Sequence, residues 1–177
     1  MNSIGTKELY TERLILRRFK ESDAEELFLG YINQENFLYY ANKEKRTLEE
    51  EKQSLIRINE KYKNNDYYNW LITLKENNAI IGSINLTVNL RNDSVEFNYV
   101  IDNRYESKGY MTETLERIKK FCFDEVNINR FQGGCCVENM ASKRVMEKCN
   151  MKCEGVLEKY IKLKDGYHDM YMFSIVK

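Results

Sequence analysis

An α+β fold is predicted by three features of this chain of 177 residues. Two capped helical patterns separate the first strand from the next three. One β-α-β passage occupies the middle, and two strands joined by Lys164-Asp165-Gly166 close the chain. The expected order is β-α-α-β-β-β-α-β-α-β-β, a mixed, mostly antiparallel twisted sheet of about seven strands with four helices. Strands placed early and late around a central β-α-β argue against a doubly wound sheet. With no repeat and no Gly/Ser linker, residues 1–177 are expected to form a single domain.

The elements follow from pattern. Residues 13–19 (RLILRRF) alternate apolar and polar, as a half-buried strand does. Ser22-Asp23-Ala24-Glu25 reads as a capping box, followed by a helical stripe of Ala24, Leu27, Phe28 and Tyr31. Thr47-Leu48-Glu49-Glu50 opens a longer helix to about Tyr62. Strands are expected near 69–75 and 79–88 around a turn at Glu76-Asn77-Asn78, and at 94–101. A helix over 112–125 presents Leu115, Ile118 and Phe121/Cys122 on one face. A short strand near 130–137, a helix over 140–149 and strands near 152–162 and 167–176 complete the chain, the last two forming a hairpin.

Composition narrows the function. Lys+Arg and Asp+Glu balance at 28 each, so the electrostatic footprint of a non-specific nucleic-acid binder is missing. The five cysteines are odd in number, and no run is apolar enough to span a membrane. A reduced, cytoplasmic protein is the expectation. Cys149 and Cys153 lack a second pair at zinc-ligand spacing, and the only histidine, His168, is distant in sequence, so no metal is expected.

The most informative stretch begins where strand 94–101 feeds Glu106-Ser107-Lys108-Gly109-Tyr110-Met111 and then a helix. A small-residue loop opening a helix presents backbone N–H groups and the positive end of the dipole to an anion. A diphosphate is the natural guest, which points to a nucleotide-bearing cofactor.

Five ordered segments together are more specific than that loop. They are Thr11-Glu12-Arg13-Leu14-Ile15-Leu16-Arg17, Gly109-Tyr110-Met111-Thr112-Glu113, Asn139-x-x-Ser142 with Glu147-Lys148, Glu154-Gly155-Val156-Leu157, and Tyr167-His168-Asp169-x-Tyr171. The chain in this respect resembles the GNAT superfamily of N-acetyltransferases, nearest its ribosomal-protein N-terminal (alanine/serine) subgroup. The resemblance implies a single GNAT-like domain and acetyl-CoA as cosubstrate, with an acetyl group moved directly to a primary amine. It implies that the backbone of Val100 and Ile101 pairs with the pantetheine arm. It places the N–H groups of Ser107, Lys108, Gly109, Tyr110, Met111 and Thr112 on the pyrophosphate, with a charge from Lys108, and Asn139 on the arm near the thiol. Two positions depart from the family loop: Glu106 stands in place of Gln or Arg, and Met111 in place of a small residue.

Acetyl transfer needs a neutral amine, yet a lysine-like amine is free base in only roughly one molecule in 2,000 at pH 7. A base is therefore worth about 10²–10⁴ in rate. Glu96 is the candidate, directly or through water, against the alternative that it decorates a solvent face. Glu113 is the rival carboxylate, although a Glu in a first helical turn commonly complements the dipole. Many superfamily members protonate the leaving thiolate with a tyrosine seven residues after the Asn; here that position is Met146. Ser142 is the candidate donor instead, against a helix-start role. His168 and Asp169 alternate across a strand, so a structural histidine is expected. The aromatics Tyr31, Phe37, Tyr39 and Tyr40, with Tyr67, Tyr68 and Trp70, are divided between core and acceptor pocket.

Two classes of function lead, with a nucleic-acid-binding module a weaker third against which the charge balance argues. One is an N-acetyltransferase whose acceptor is a peptide N-terminus, polyamine, amino acid or aminoglycoside-like amine, with a homodimer through the terminal strands a further expectation. The other is an acyl-CoA-binding sensor or interaction module with impaired catalysis, suggested by Glu106, Met111 and Met146.

Overall fold

Residues 1–31 and 47–177 are described by a computed structural model of the chain, Tyr31 by its backbone alone. Among the described residues eight strands form one sheet, in the order β1-β2-β3-β4-β5-β6-β8-β7. They are β1 (Leu9–Tyr10), β2 (Leu14–Arg17), β3 (Tyr68–Leu74), β4 (Ile80–Asn89), β5 (Ser94–Ile101), β6 (Arg130–Cys136), β7 (Lys152–Leu163) and β8 (Gly166–Val176). Every neighbouring pair is antiparallel except β5–β6. The strand beyond the expected count is the two-residue β1, too short for a period-2 pattern to reveal.

Among the described residues four α-helices cover the sheet: α1 (Ala24–Glu26), α2 (Leu48–Lys61), α3 (Tyr110–Phe121) and α4 (Met140–Lys148). Each face of the sheet has its own core. On one, Leu115, Ile118 and Phe121 of α3 and Met146 of α4 pack on Trp70, Val95, Phe97 and Phe131. Trp70 and Phe121 meet edge-on at 5.7 Å. On the other, Ala24, Leu27 and Leu55 pack on Leu71, Ile80 and Val100. Residues of β5 alternate between the two cores, which decides which side chains reach which half of the site.

Local signals place the helices with one exception. Thr47 Oγ1 accepts the Glu50 N–H at 3.2 Å while the Glu50 carboxylate accepts the Thr47 N–H at 2.7 Å, the expected reciprocal cap. The cap expected at Ser22–Glu25 is replaced by one at Lys20. There the Asp23 carboxylate accepts the Lys20 N–H at 2.7 Å and both Arg17 Nη atoms at 2.8 and 2.9 Å. The guanidinium fork of Arg17 holds the Asp23 carboxylate where it meets the Lys20 N–H, earlier in the chain than the box at Ser22 requires. The first helix consequently begins as a 3₁₀ turn at Glu21–Asp23 and ends in a wider π turn at Leu27–Tyr31.

Candidate active site

The site begins where two strands part. Parallel pairing of β5 and β6 lasts three residue pairs, from Ser94↔Arg130 to Glu96↔Gln132. Beyond Gln132, β6 stays with β8 through Cys136. The wedge is Phe97: its ring comes within 2.4 Å of the point a Cβ at Gly133 would occupy, and it stacks on Phe131 at 4.8 Å. Only glycine at 133 leaves room for that ring. The β5 backbone from Phe97 to Ile101 is thereby left without ladder partners on its β6 side, and Val100 and Ile101 line a cleft of about 670 Å³. An extended polar arm entering the gap would find the donors and acceptors that a strand finds.

The loop after β5 closes one end of this cleft. Ser107 (φ 60°) and Gly109 (φ 82°) are both left-handed, with Lys108 between them. Such a backbone curls its N–H groups into a concavity suited to an anion. Helix α3 starts at Tyr110, two residues before the sequence expectation, because Gly109 serves as its N-cap. Its first intrahelical bond is Glu113 N–H to the Gly109 carbonyl at 3.0 Å. The N–H groups of Tyr110, Met111 and Thr112 precede that bond and have no carbonyl to meet within the helix. All three residues line the cleft, as do Ser107 and Gly109.

The two departures in this loop have different outcomes. Met111 is only 4% exposed and belongs to the core, so its bulk is turned largely inward. Glu106 lines the cleft, where Arg144 and Lys148 of α4 supply opposite charge. The Lys108 ammonium lies over the Tyr105 ring at 5.2 Å and the residue is absent from the cleft lining, which leaves its backbone as its contribution.

A second cavity, about 250 Å³, opens through the same gap. It shares Tyr99, Asn139 and Ser142 with the cleft and adds Glu96, Cys136, Ile161 and Met170. Glu96 is held there by a chain of side chains crossing three strands. Gln132 Nε2 donates to Glu96 Oε2 at 3.0 Å, and Arg130 Nε donates to Gln132 Oε1 at 2.5 Å. Arg130 in turn makes a two-pronged pair with Glu154, which also accepts from Ser174 Oγ at 2.7 Å. The bonds from Arg130 and Ser174 push the Glu154 carboxyl down to about 2. Arg130 thus decides which end of the Gln132 amide faces Glu96.

At the head of α4, Asn139 Oδ1 accepts the Ser142 N–H at 3.0 Å, leaving the Asn139 amide NH₂ free of the capping role. Ser142 stands in the first turn, and its carbonyl is 3.5 Å from the Tyr99 hydroxyl. Burial raises the Tyr99 phenol above its ordinary value. Met146 is 1% exposed and part of the core.

Other singled-out residues are engaged elsewhere. The Glu113 carboxylate accepts from Thr11 Oγ1 at 2.5 Å, from the Arg13 N–H at 2.9 Å and from Arg13 Nε at 2.7 Å. Burial acts to raise its pKa, but these bonds outweigh it and leave it below the usual carboxylate range. His168 bridges Asp165 at 2.8 Å and Glu138 at 3.3 Å, whereas Asp169 accepts the Lys159 N–H; the two neighbours serve different contacts. Tyr68 and Trp70 are fully buried, while Phe37, Tyr39 and Tyr40 fall outside the described residues. Among the described residues no cluster of three or more His, Cys, Asp or Glu could hold a metal, and no helix is long and apolar enough to cross a membrane.

Tyr99 and Gln132 escape a reading by motif, and Arg13, although it stands in the first ordered segment, escapes it in the contact it makes. Tyr99 could have been found by alternation, since it shares a sheet face with Phe97. Arg13 and Gln132 act through partners about 100 and 36 residues away, which no local pattern reports.

Comparison with known proteins agrees with this geometry. The acetyltransferase (GNAT) domain family matches residues 13–152. The uncharacterized N-acetyltransferase YnaD of Bacillus subtilis is 28% identical over 94% of this chain and 95% of its own. A GNAT-family acetyltransferase of known structure from Bacillus anthracis superposes with a TM-score of 0.82, at 26% identity over 96% of this chain and 98% of that one. The ribosomal L7/L12 alpha-N-protein acetyltransferase, solved with coenzyme A, shares the fold with a TM-score of 0.85 at 20% identity, over 96% and 98% of the two chains. A sheet parted at β5 and β6, an amide-lined loop at the head of α3 and a family match across most of its length make this chain a member of the GNAT family, an acetyl-CoA-dependent acyltransferase.

Proposed function

We propose that this enzyme is an N-acetyltransferase that moves the acetyl group of acetyl-CoA directly to a primary amine. The observation that carries the reading is the meeting of two cavities at Tyr99, Asn139 and Ser142, one lined by the anion-ready loop and one by Glu96. The first fits the cosubstrate. Ser107 through Thr112 hold the diphosphate by backbone N–H groups, the Val100 and Ile101 backbone pairs with the pantetheine arm, and the Asn139 amide meets that arm near the thiol. Bound acetyl-CoA supplies the thioester.

The second cavity receives the acceptor amine. Glu96 takes its proton, directly or through water, so that the free base is present at neutral pH. Gln132 keeps the carboxylate aimed. The Ser142 hydroxyl donates a hydrogen bond to the leaving sulfur, in place of the tyrosine that position 146 does not provide. The likeness to ribosomal-protein acetyltransferases favours a peptide N-terminus as acceptor, with small-molecule amines as the alternatives on the same scaffold.

Acetyl-CoA turnover against a panel of peptides and small amines tests this reading. Release of CoA with at least one amine is expected, and absence of CoA binding at millimolar concentration ends the idea. Tight CoA binding without turnover on any amine would instead favour the sensor.

A further inference from the structure

We propose that Arg13 is a positioning residue for the diphosphate loop, locking it from outside the cleft. Its side chain comes from just before β2, yet it engages three successive parts of the loop and the head of α3. Nη1 donates to the Lys108 carbonyl at 3.0 Å. Nη2 lies 3.4 Å from where a Gly109 Cβ would be, in contact range of that residue. The guanidinium carbon stacks over the Tyr110 ring at 4.4 Å. Nε and Nη2 both meet Glu113 Oε2 at 2.7 Å.

The anchor is double-ended. Thr11 Oγ1 and the Arg13 backbone N–H hold the other Glu113 oxygen, so one carboxylate is gripped by both side chains of Thr11-x-Arg13. This has two consequences for an anion at the loop. The left-handed residues Ser107 and Gly109 are strained or entropically costly to hold, and a guanidinium spanning residues 108–113 keeps them in that shape before ligand arrives. Glu113 also sits in the first turn of α3, where its charge would oppose a diphosphate. Arg13 offsets that charge at contact distance. Lysine cannot substitute, since a single ammonium cannot reach the carbonyl, the ring and the carboxylate at once.

The inference rests on the reading that this loop binds the diphosphate, and the test separates the two. Calorimetric dissociation constants are measured for CoA and, by competition, for pantetheine, which has the same arm and thiol but no diphosphate. The wild-type protein is expected to bind CoA much more tightly. In Arg13→Lys and Arg13→Met, CoA affinity is expected to fall about tenfold or more, the scale of a lost charge-assisted hydrogen bond, with pantetheine affinity unchanged. An equal loss for both ligands, or no loss for CoA, overturns the role of Arg13. A wild-type protein that binds the two equally overturns the diphosphate loop itself, before any variant is made.

Discussion

The two cavities that meet at Ser142 are built on opposite principles. The larger cleft, proposed for the cofactor, is lined by Ser107, by Gly109 to Thr112 and by the unpaired edge of β5, where main chain is what the proposed reading uses. The smaller cavity, proposed for the acceptor, is assembled mostly from side chains brought by β5, β6, the head of α4, β7 and β8. Backbone amides exist whatever the side chains are, so the first cavity is expected to depend less on the identity of Glu106 and Met111. The second depends on particular groups, and on the Gln132–Arg130–Glu154 chain that holds one of them. A shared donor and a variable acceptor would divide along this line.

Substitutions can break that contrast, and the strongest falls on the side-chain half. Glu96→Gln is expected to lower kcat by about 10²–10⁴ while leaving CoA affinity within a factor of two or so, measured by steady-state kinetics and calorimetry. Equal turnover by the variant would return Glu96 to the status of a surface carboxylate. Next is the wedge between the strands. Gly133→Ala places a methyl on the Phe97 ring and is expected to cost about 1–3 kcal/mol, read as a lowered thermal midpoint. An unchanged midpoint would mean that the ring is free to move and does not hold the strands apart.

The main-chain half is expected to respond more mildly, because one strained residue leaves the other amides in place. Gly109→Val forces a branched side chain into a left-handed position (φ 82°), at a cost of about 1–2 kcal/mol. A roughly tenfold rise in KM for acetyl-CoA with kcat preserved is the expected signature; a fall in kcat alone would argue against a purely binding role.

The smallest effect concerns the tether between the β7–β8 hairpin and the loop before α4. Bonds from Asp165 and then Glu138 raise the His168 pKa above its usual value. A raised folded value means that the stabilisation is full below the unfolded pKa of about 6.5 and fades as pH climbs through the folded one. The gap in thermal midpoint between the wild type and His168→Gln is therefore expected to shrink from pH 6 toward alkaline pH. A gap that widened instead would show that the charged form of His168 is not what binds the tip.

Much of the fold was legible without coordinates. The Thr47–Glu50 cap, the strand at 94–101 and the Lys-Asp-Gly hairpin each depend on neighbours within a few residues, and each lies where expected. The first helix did not, because Asp23 answers to Arg17 as well as to its own helix. Within the site, the glycine loop opening a helix was legible, but the left-handed Ser107 near it was not, since serine rarely adopts that conformation.

By itself the sequence determined the order of elements, the glycine loop that opens α3 and the ordered segments that resemble a family. These rest on periodicity, on the special freedom of glycine and on residue identity, all of which are local. Tertiary structure alone decided that Thr11 and Arg13 close on Glu113, that Gln132 aims Glu96, and that Phe97 against Gly133 opens the sheet where both substrates would enter. Each of these needs two distant stretches of chain at contact distance, and packing decides that distance where spacing along the chain cannot.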